Sequence, residues 1–166
     1  MHRQFPARRG LSLLEVTVST MLVGVCLVAA LRALGMMLVT QTGMADDAAA
    51  ACLADDLLTE VLQELYSDPS GSSGLQVDAD EAPQQKTGFD DVDDYHGWRE
   101  SPPQDASGKA IDGLGDWTRS VRVELVEPAE PNKVAASDQG LKRITVEVGK
   151  SGRIRATRSG LRGNYE

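Results

Sequence analysis

Four carboxylates crowd one short stretch: Asp90, Asp91, Asp93 and Asp94, flanked by Phe89, Tyr95 and Trp98. Hard cations take several carboxylate and carbonyl oxygens, so calcium is the first chemistry such a cluster suggests. The spacing is not that of an EF-hand, because Tyr95 stands where the third ligand belongs and Gly97 comes one residue late. The preferred reading is an ordered loop, anchored by its aromatics, whose aspartates accept hydrogen bonds from backbone amides. No metal and no cofactor are expected. His96 could serve as a base, but no Ser or Cys nucleophile motif surrounds it, and a lone His beside aromatics reads as structural. Gly149-Lys150-Ser151 lacks the upstream Gly and the following helix of a phosphate loop. Cys26 and Cys52 lie about 39 Å apart if they share one helix, too far to bridge. The chain is not expected to be an enzyme.

The other residue that asks for a chemical account is Glu15. Residues 1–10 carry Arg3, Arg8 and Arg9 and no acid, and residues 11–39 hold only two charges, Glu15 and Arg32. As a helix the second segment is about 43 Å long against about 30 Å of hydrocarbon, enough to cross a bilayer. The basic leader predicts a cytoplasmic N-terminus and a single pass across an inner membrane. Arg32 falls near the outer boundary, where its guanidinium can snorkel. A carboxylate near the start of a membrane helix is costly and calls for a partner.

The run Arg8-Arg9-Gly10-Leu11-Ser12-Leu13-Leu14-Glu15-Val16 resembles the cleavage and methylation signal of type IV prepilins. In that family a peptidase cuts after the Gly and methylates the new N-terminus, and the fifth mature residue is Glu. Most relatives begin with Phe where this chain has Leu11. The resemblance implies that Gly10–Leu11 is the cleavage site and that Leu11 becomes the methylated amine. It also gives Glu15 an assembly role, as the carboxylate that pairs with the amine of a neighbouring subunit. A paired carboxylate and ammonium avoid much of the desolvation cost each would meet alone. Removal of the three leader arginines takes the charge to (17 − 3) − 25, or −11.

The whole chain has 166 residues, with 17 Lys and Arg against 25 Asp and Glu, a net charge of −8. Nucleic-acid binding through phosphates is therefore not expected. With only His2 and His96, a multi-histidine metal site is excluded. Residues 45–66 read as an amphipathic helix: Ala54, Leu58, Val61 and Leu65 form a stripe with Leu57 and Leu62 beside it, and Asp46, Asp47, Asp55, Asp56, Glu60 and Glu64 take the other face. It stops at Ser67-Asp68-Pro69-Ser70-Gly71.

An acidic loop region, 67–116, follows. Three strands then read by alternation: Val121, Val123 and Leu125; Ile144, Val146 and Val148; Ile154 and Ala156. Gly149-Lys150-Ser151-Gly152 makes a hairpin turn between the last two, and Glu127–Gly140 reads as a longer loop. The fold class is α+β, with the helix stripe covering a small antiparallel sheet. The expected organisation is a cleaved leader, 1–10, a membrane and assembly helix, 11–39, and a soluble domain, 40–166. Charge is blocky: residues 46–94 hold fourteen acids and Lys86 alone as a base, while 99–166 hold twelve bases and ten acids. A solvated acidic helix face is the preferred reading, with pairing to another subunit's basic hairpin as the alternative.

Helix first and sheet second also resembles pilins and pseudopilins. Phe89-Asp90-Asp91-Val92-Asp93-Asp94-Tyr95-His96-Gly97 and Gly140-Leu141-Lys142-Arg143-Ile144-Thr145-Val146 are similar to minor pilins of the mannose-sensitive haemagglutinin type. These resemblances imply a filament subunit of a type IV pilus or a type II secretion-like machine. Its partners would be a prepilin peptidase, other pilin or pseudopilin subunits, the inner-membrane assembly platform and membrane lipid. The alternative is a signal-anchored periplasmic protein with an unrelated binding or enzymatic role.

Overall fold

The computed structural model describes residues 12–68, 74–75 and 86–165. The element order is α1 (Leu13–Gln63), a 3₁₀ turn (Lys86–Gly88), β1 (Arg99–Glu100), β2 (Trp117–Glu127), β3 (Glu130–Val134), β4 (Leu141–Lys150) and β5 (Arg153–Gly163). The fold is α+β: one long N-terminal helix and a small antiparallel sheet. Contacts divide the chain into two units, Met1–Met44 and Ala45–Glu166.

In the first unit α1 begins where Ser12 caps it. Ser12 Oγ accepts from the Glu15 amide at 3.2 Å, and the Ser12 carbonyl accepts from the Val16 amide at 3.2 Å. Large apolar side chains from Leu13 to Met36 are exposed along it. The helix is long and apolar enough to cross a membrane near the N-terminus, which is compatible with a single-pass anchor.

In the second unit the same helix turns amphipathic. Ala50, Leu53, Ala54, Leu57, Leu58 and Val61 are buried, at the 3-and-1 spacing that puts them on one face. They pack on Val121, Val123, Ile144, Val146 and Val148, the inward residues of β2 and β4. The sheet order is β1-β2-β4-β5, all antiparallel, with β3 paired to the far end of β2. Gly160 lets the helix come close, since a Cβ there would stand 3.0 Å from Leu62 and 3.3 Å from Leu58. Phe89 completes the core with edge-on contacts to Tyr95 and Trp98, at 5.1 and 5.3 Å between centroids.

Several expectations are corrected. The helix ends at Gln63, and Leu65 leaves the stripe to form a bridge with Asp91, remaining 44% exposed. The Glu127–Gly140 segment is not all loop: it contains β3, entered through a register shift at Val126/Glu127. Ile154 does not face the core. A register shift at Val148/Gly149 turns it outward, 65% exposed. The hairpin turn is the two-residue Ser151–Gly152, with φ of 51° and 78°, the left-handed pair that matches strand twist.

The acidic helix face stays open to water, with Asp47, Asp55 and Asp56 exposed, but three of its carboxylates are also paired within the chain. Lys150 pairs with Asp46 at 2.8 Å, Arg155 with Asp47 at 3.1 Å and Arg158 with Asp55 at 2.8 Å, while Arg162 donates to the Glu64 carbonyl at 3.0 Å. The partners rise together in number, so β5 runs in the same direction as this half of α1.

Candidate functional site

Gly10 and Leu11 lie outside the described residues. Glu15 sits in the first turn of α1, exposed. Ser12-Leu13-Leu14-Glu15 is a capping-box pattern, a signal the prepilin reading passed over. An acid in the first turn also complements the helix dipole. Glu15 therefore has a local task beside any assembly task.

The aspartate loop is held between the end of α1 and β2. The Leu65 amide donates to the Asp90 carbonyl at 3.2 Å, and the Val92 amide to the Leu65 carbonyl at 3.1 Å. Inside the loop the carboxylates bond the backbone. Asp91 Oδ1 accepts from the Asp93 amide at 2.6 Å and the Asp94 amide at 3.2 Å, and Asp94 Oδ2 accepts from the Asp90 and Asp91 amides, both at 3.2 Å. Asp93 turns away to Lys142, 2.8 Å distant. One carboxylate oxygen each from Asp90, Asp91 and Asp94 lies within 4.8 Å of the others, the one grouping of metal-ligand type among the described residues. The amide bonds account for Asp91 and Asp94 as loop-builders, in line with the preferred sequence reading.

The crowding has an electrostatic cost. Burial, with Asp94 and Asp93 beside it, pushes the Asp91 carboxyl up to about 6 from 3.8. Burial raises Asp93 too, against the pull of Lys142, and raises Glu64, helped by Glu60, Asp90 and Asp94. A carboxyl whose folded pKa lies above its unfolded value binds more protons when folded. Its stabilising contribution is complete below about pH 4 and is lost as pH rises through about 6. Asp91→Asn keeps an oxygen for the two amides and removes one charge. It is expected to raise the melting temperature at neutral pH and to flatten its fall between about pH 4 and 6. Calorimetry of the full chain in detergent checks this; a variant that melts lower at neutral pH would mean that the ionised carboxylate is needed.

Three buried bases tie this half of the chain together. Lys142, buried, donates to Asp93 and to the Tyr66 carbonyl, with its ammonium 4.0 Å from the Tyr66 ring centroid. Lys86 pairs with Glu60 at 3.0 Å, and Glu60 also accepts from the Tyr95 hydroxyl at 3.1 Å. Arg119 pairs with Glu100 and donates to the carbonyls of Leu53 and Gln104. The sequence reading passed over all three. For two of them the signal was present: Arg119 keeps the parity of Val121 and Val123, and Lys142 that of Ile144 and Val146.

His96 is exposed, and its Nδ1 accepts from the Val123 amide at 3.3 Å, a structural task. Cys26 and Cys52 are both free. No reactive pair of base and nucleophile is formed by these residues.

Comparison with protein families, with characterised proteins and with solved structures finds no match. The functional reading therefore stands on the chain's own residues and geometry.

Proposed function

We propose that this chain is a minor pilin or pseudopilin, a structural subunit of a type IV pilus or type II secretion-like filament, matured by a prepilin peptidase. The observation that carries the reading is the division of labour along α1. Its first half exposes a long apolar surface that carries only Glu15 and Arg32 as charges, and its second half buries a stripe against an antiparallel sheet. Such a helix is suited to sit first in a bilayer and then among the helices of neighbouring subunits, with the sheet outside. The sequence Gly10-Leu11-Ser12-Leu13-Leu14-Glu15 ahead of it supports processing after Gly10. In this reading the subunit has no catalytic role. Its partners are the peptidase, other subunits, the assembly platform and lipid, and it passes from the inner membrane into the filament.

The test is the N-terminus of the protein extracted from membranes of cells that carry an active prepilin peptidase. Intact mass and N-terminal sequencing are expected to give a chain starting at N-methylated Leu11, and Gly10→Phe is expected to abolish the cut. A chain still starting at Met1 would favour a plain membrane anchor and overturn the filament reading.

A further inference from the structure

The face of the sheet turned away from α1 is polar and carries a groove of about 530 Å³. Its floor follows the strand register. Arg99 of β1 stands opposite Ser120 of β2, which stands opposite Glu147 of β4; one row on, Arg122 stands opposite Thr145. Neighbouring strands lie about 4.8 Å apart, so Arg99 and Glu147 face each other across about 10 Å. At one end Glu124 is taken by Arg143, at 2.8 Å. Arg99, Arg122 and Glu147, by contrast, are exposed and have no ion-pair or side-chain hydrogen-bond partner among the described residues. His96 lines the rim, and because its Nδ1 accepts from a backbone amide, the neutral ring keeps Nε2 as a donor.

The groove thus offers two guanidinium forks, a hydroxyl and a ring N–H as donors, with one free carboxylate across from them. A simple anion would satisfy the guanidiniums and be repelled by Glu147. A cation would meet the reverse conflict, and an apolar ligand would leave every one of these groups unpaired. A sugar that bears both a carboxylate and hydroxyls answers both sides at once. Its carboxylate suits the planar fork of an arginine, and its hydroxyls donate to Glu147. We propose that this groove binds a uronic-acid residue of a glycan, with Arg99 and Arg122 on the carboxylate and Glu147 on the ring hydroxyls. The proposal is independent of the filament reading, since a chain never cut after Gly10 presents the same groove.

The test is titration calorimetry of the full chain in a polyoxyethylene detergent, which carries neither sugar nor charge. Tri-galacturonate and a glucuronate oligosaccharide are run separately as probes, against neutral galactotriose and citrate. Saturable binding of at least one uronate is expected, and which one binds names the source of the glycan. Galactotriose and citrate are expected to bind at least about tenfold more weakly. Arg122→Gln and Glu147→Gln are each expected to weaken the uronate by about tenfold or more while leaving the melting temperature unchanged, because both side chains are exposed. Citrate binding as tightly as the uronates, or Glu147→Gln leaving binding intact or stronger, would reduce the groove to general anion attraction and overturn the proposal. The absence of saturable binding by both uronates would overturn it as well.

Discussion

Arg119→Ala is expected to destabilise the folded unit by about 3–5 kcal/mol, the cost of leaving a buried charge without its partner. The Glu100 side chain is fully buried and Arg119 nearly so, so water cannot take over the role of the guanidinium. The same change strips a donor from the carbonyls of Leu53 and Gln104 and loosens the hold of the loop on the helix. Domains of this kind are stable by only about 5–15 kcal/mol in total, so a large share goes with one side chain. Denaturant unfolding of the full chain in detergent, followed by the fluorescence of buried Trp98 and Trp117, measures it. Arg119→Met with Glu100→Leu is expected to recover most of the loss, because an apolar pair of similar volume removes both charges together. A loss below about 1 kcal/mol for the single variant would show that the pair is open to solvent when the protein breathes.

Glu15→Ala is expected to leave processing and the folded unit unchanged and to remove most of the subunit from sheared filaments. The reason is the proposed pairing with a neighbour's Leu11 amine, in a setting where neither charge has water to fall back on. Glu15→Asp is expected to be intermediate, keeping the charge and losing one methylene of reach. Ser12 sharpens the test. Its hydroxyl caps the same turn, so Ser12→Ala weakens the helix start, by about 1 kcal/mol, while sparing the carboxylate. If Glu15 acts in assembly, Ser12→Ala incorporates nearly as wild type and Glu15→Ala does not. If both variants incorporate equally, whether well or badly, the carboxylate is only part of the cap and the pairing idea falls.

The parts that were legible in the sequence are those where local pattern and tertiary burial agree. The apolar run is read by its length and lack of charge, the stripe from Ala54 to Val61 and the alternation of β4 by period, and that of β2 only as far as Val123, because Val126 and not Leu125 is the buried residue beyond it; the hairpin is read from the run Gly149–Gly152. β3 was missed because Glu130-Pro131-Asn132-Lys133-Val134 has no apolar alternation; it exists through its pairing to the end of β2 and stays largely exposed. Ile154 was turned the wrong way because a bulge shifts parity, and a bulge leaves no mark in a pattern of apolar residues. The buried bases were hidden by a habit of reading Lys and Arg as surface. The parity of Arg119 and Lys142 with the core residues pointed inward, whereas Lys86 had no such signal, and what the three meet (Glu100, Asp93 and Glu60) is distant in sequence, so no window could show it. At the aspartate loop the residues were visible, but not that Asp93 would leave the cluster for Lys142.

The matched order of β5 and α1 has a mechanical meaning. Arg155 meets Asp47, Arg158 meets Asp55 and Arg162 reaches the Glu64 carbonyl, in the same sequence along both elements. A tug along the axis of this half of the helix therefore loads all three links at once, in shear, together with Leu58 and Leu62 wedged over Gly160. A pull across the axis would instead peel them one after another. Each exposed ion pair is worth under about 1 kcal/mol alone, yet links strained side by side share the force that would break them singly. The arrangement makes the strand a brace that is strongest in the direction of the helix it grips.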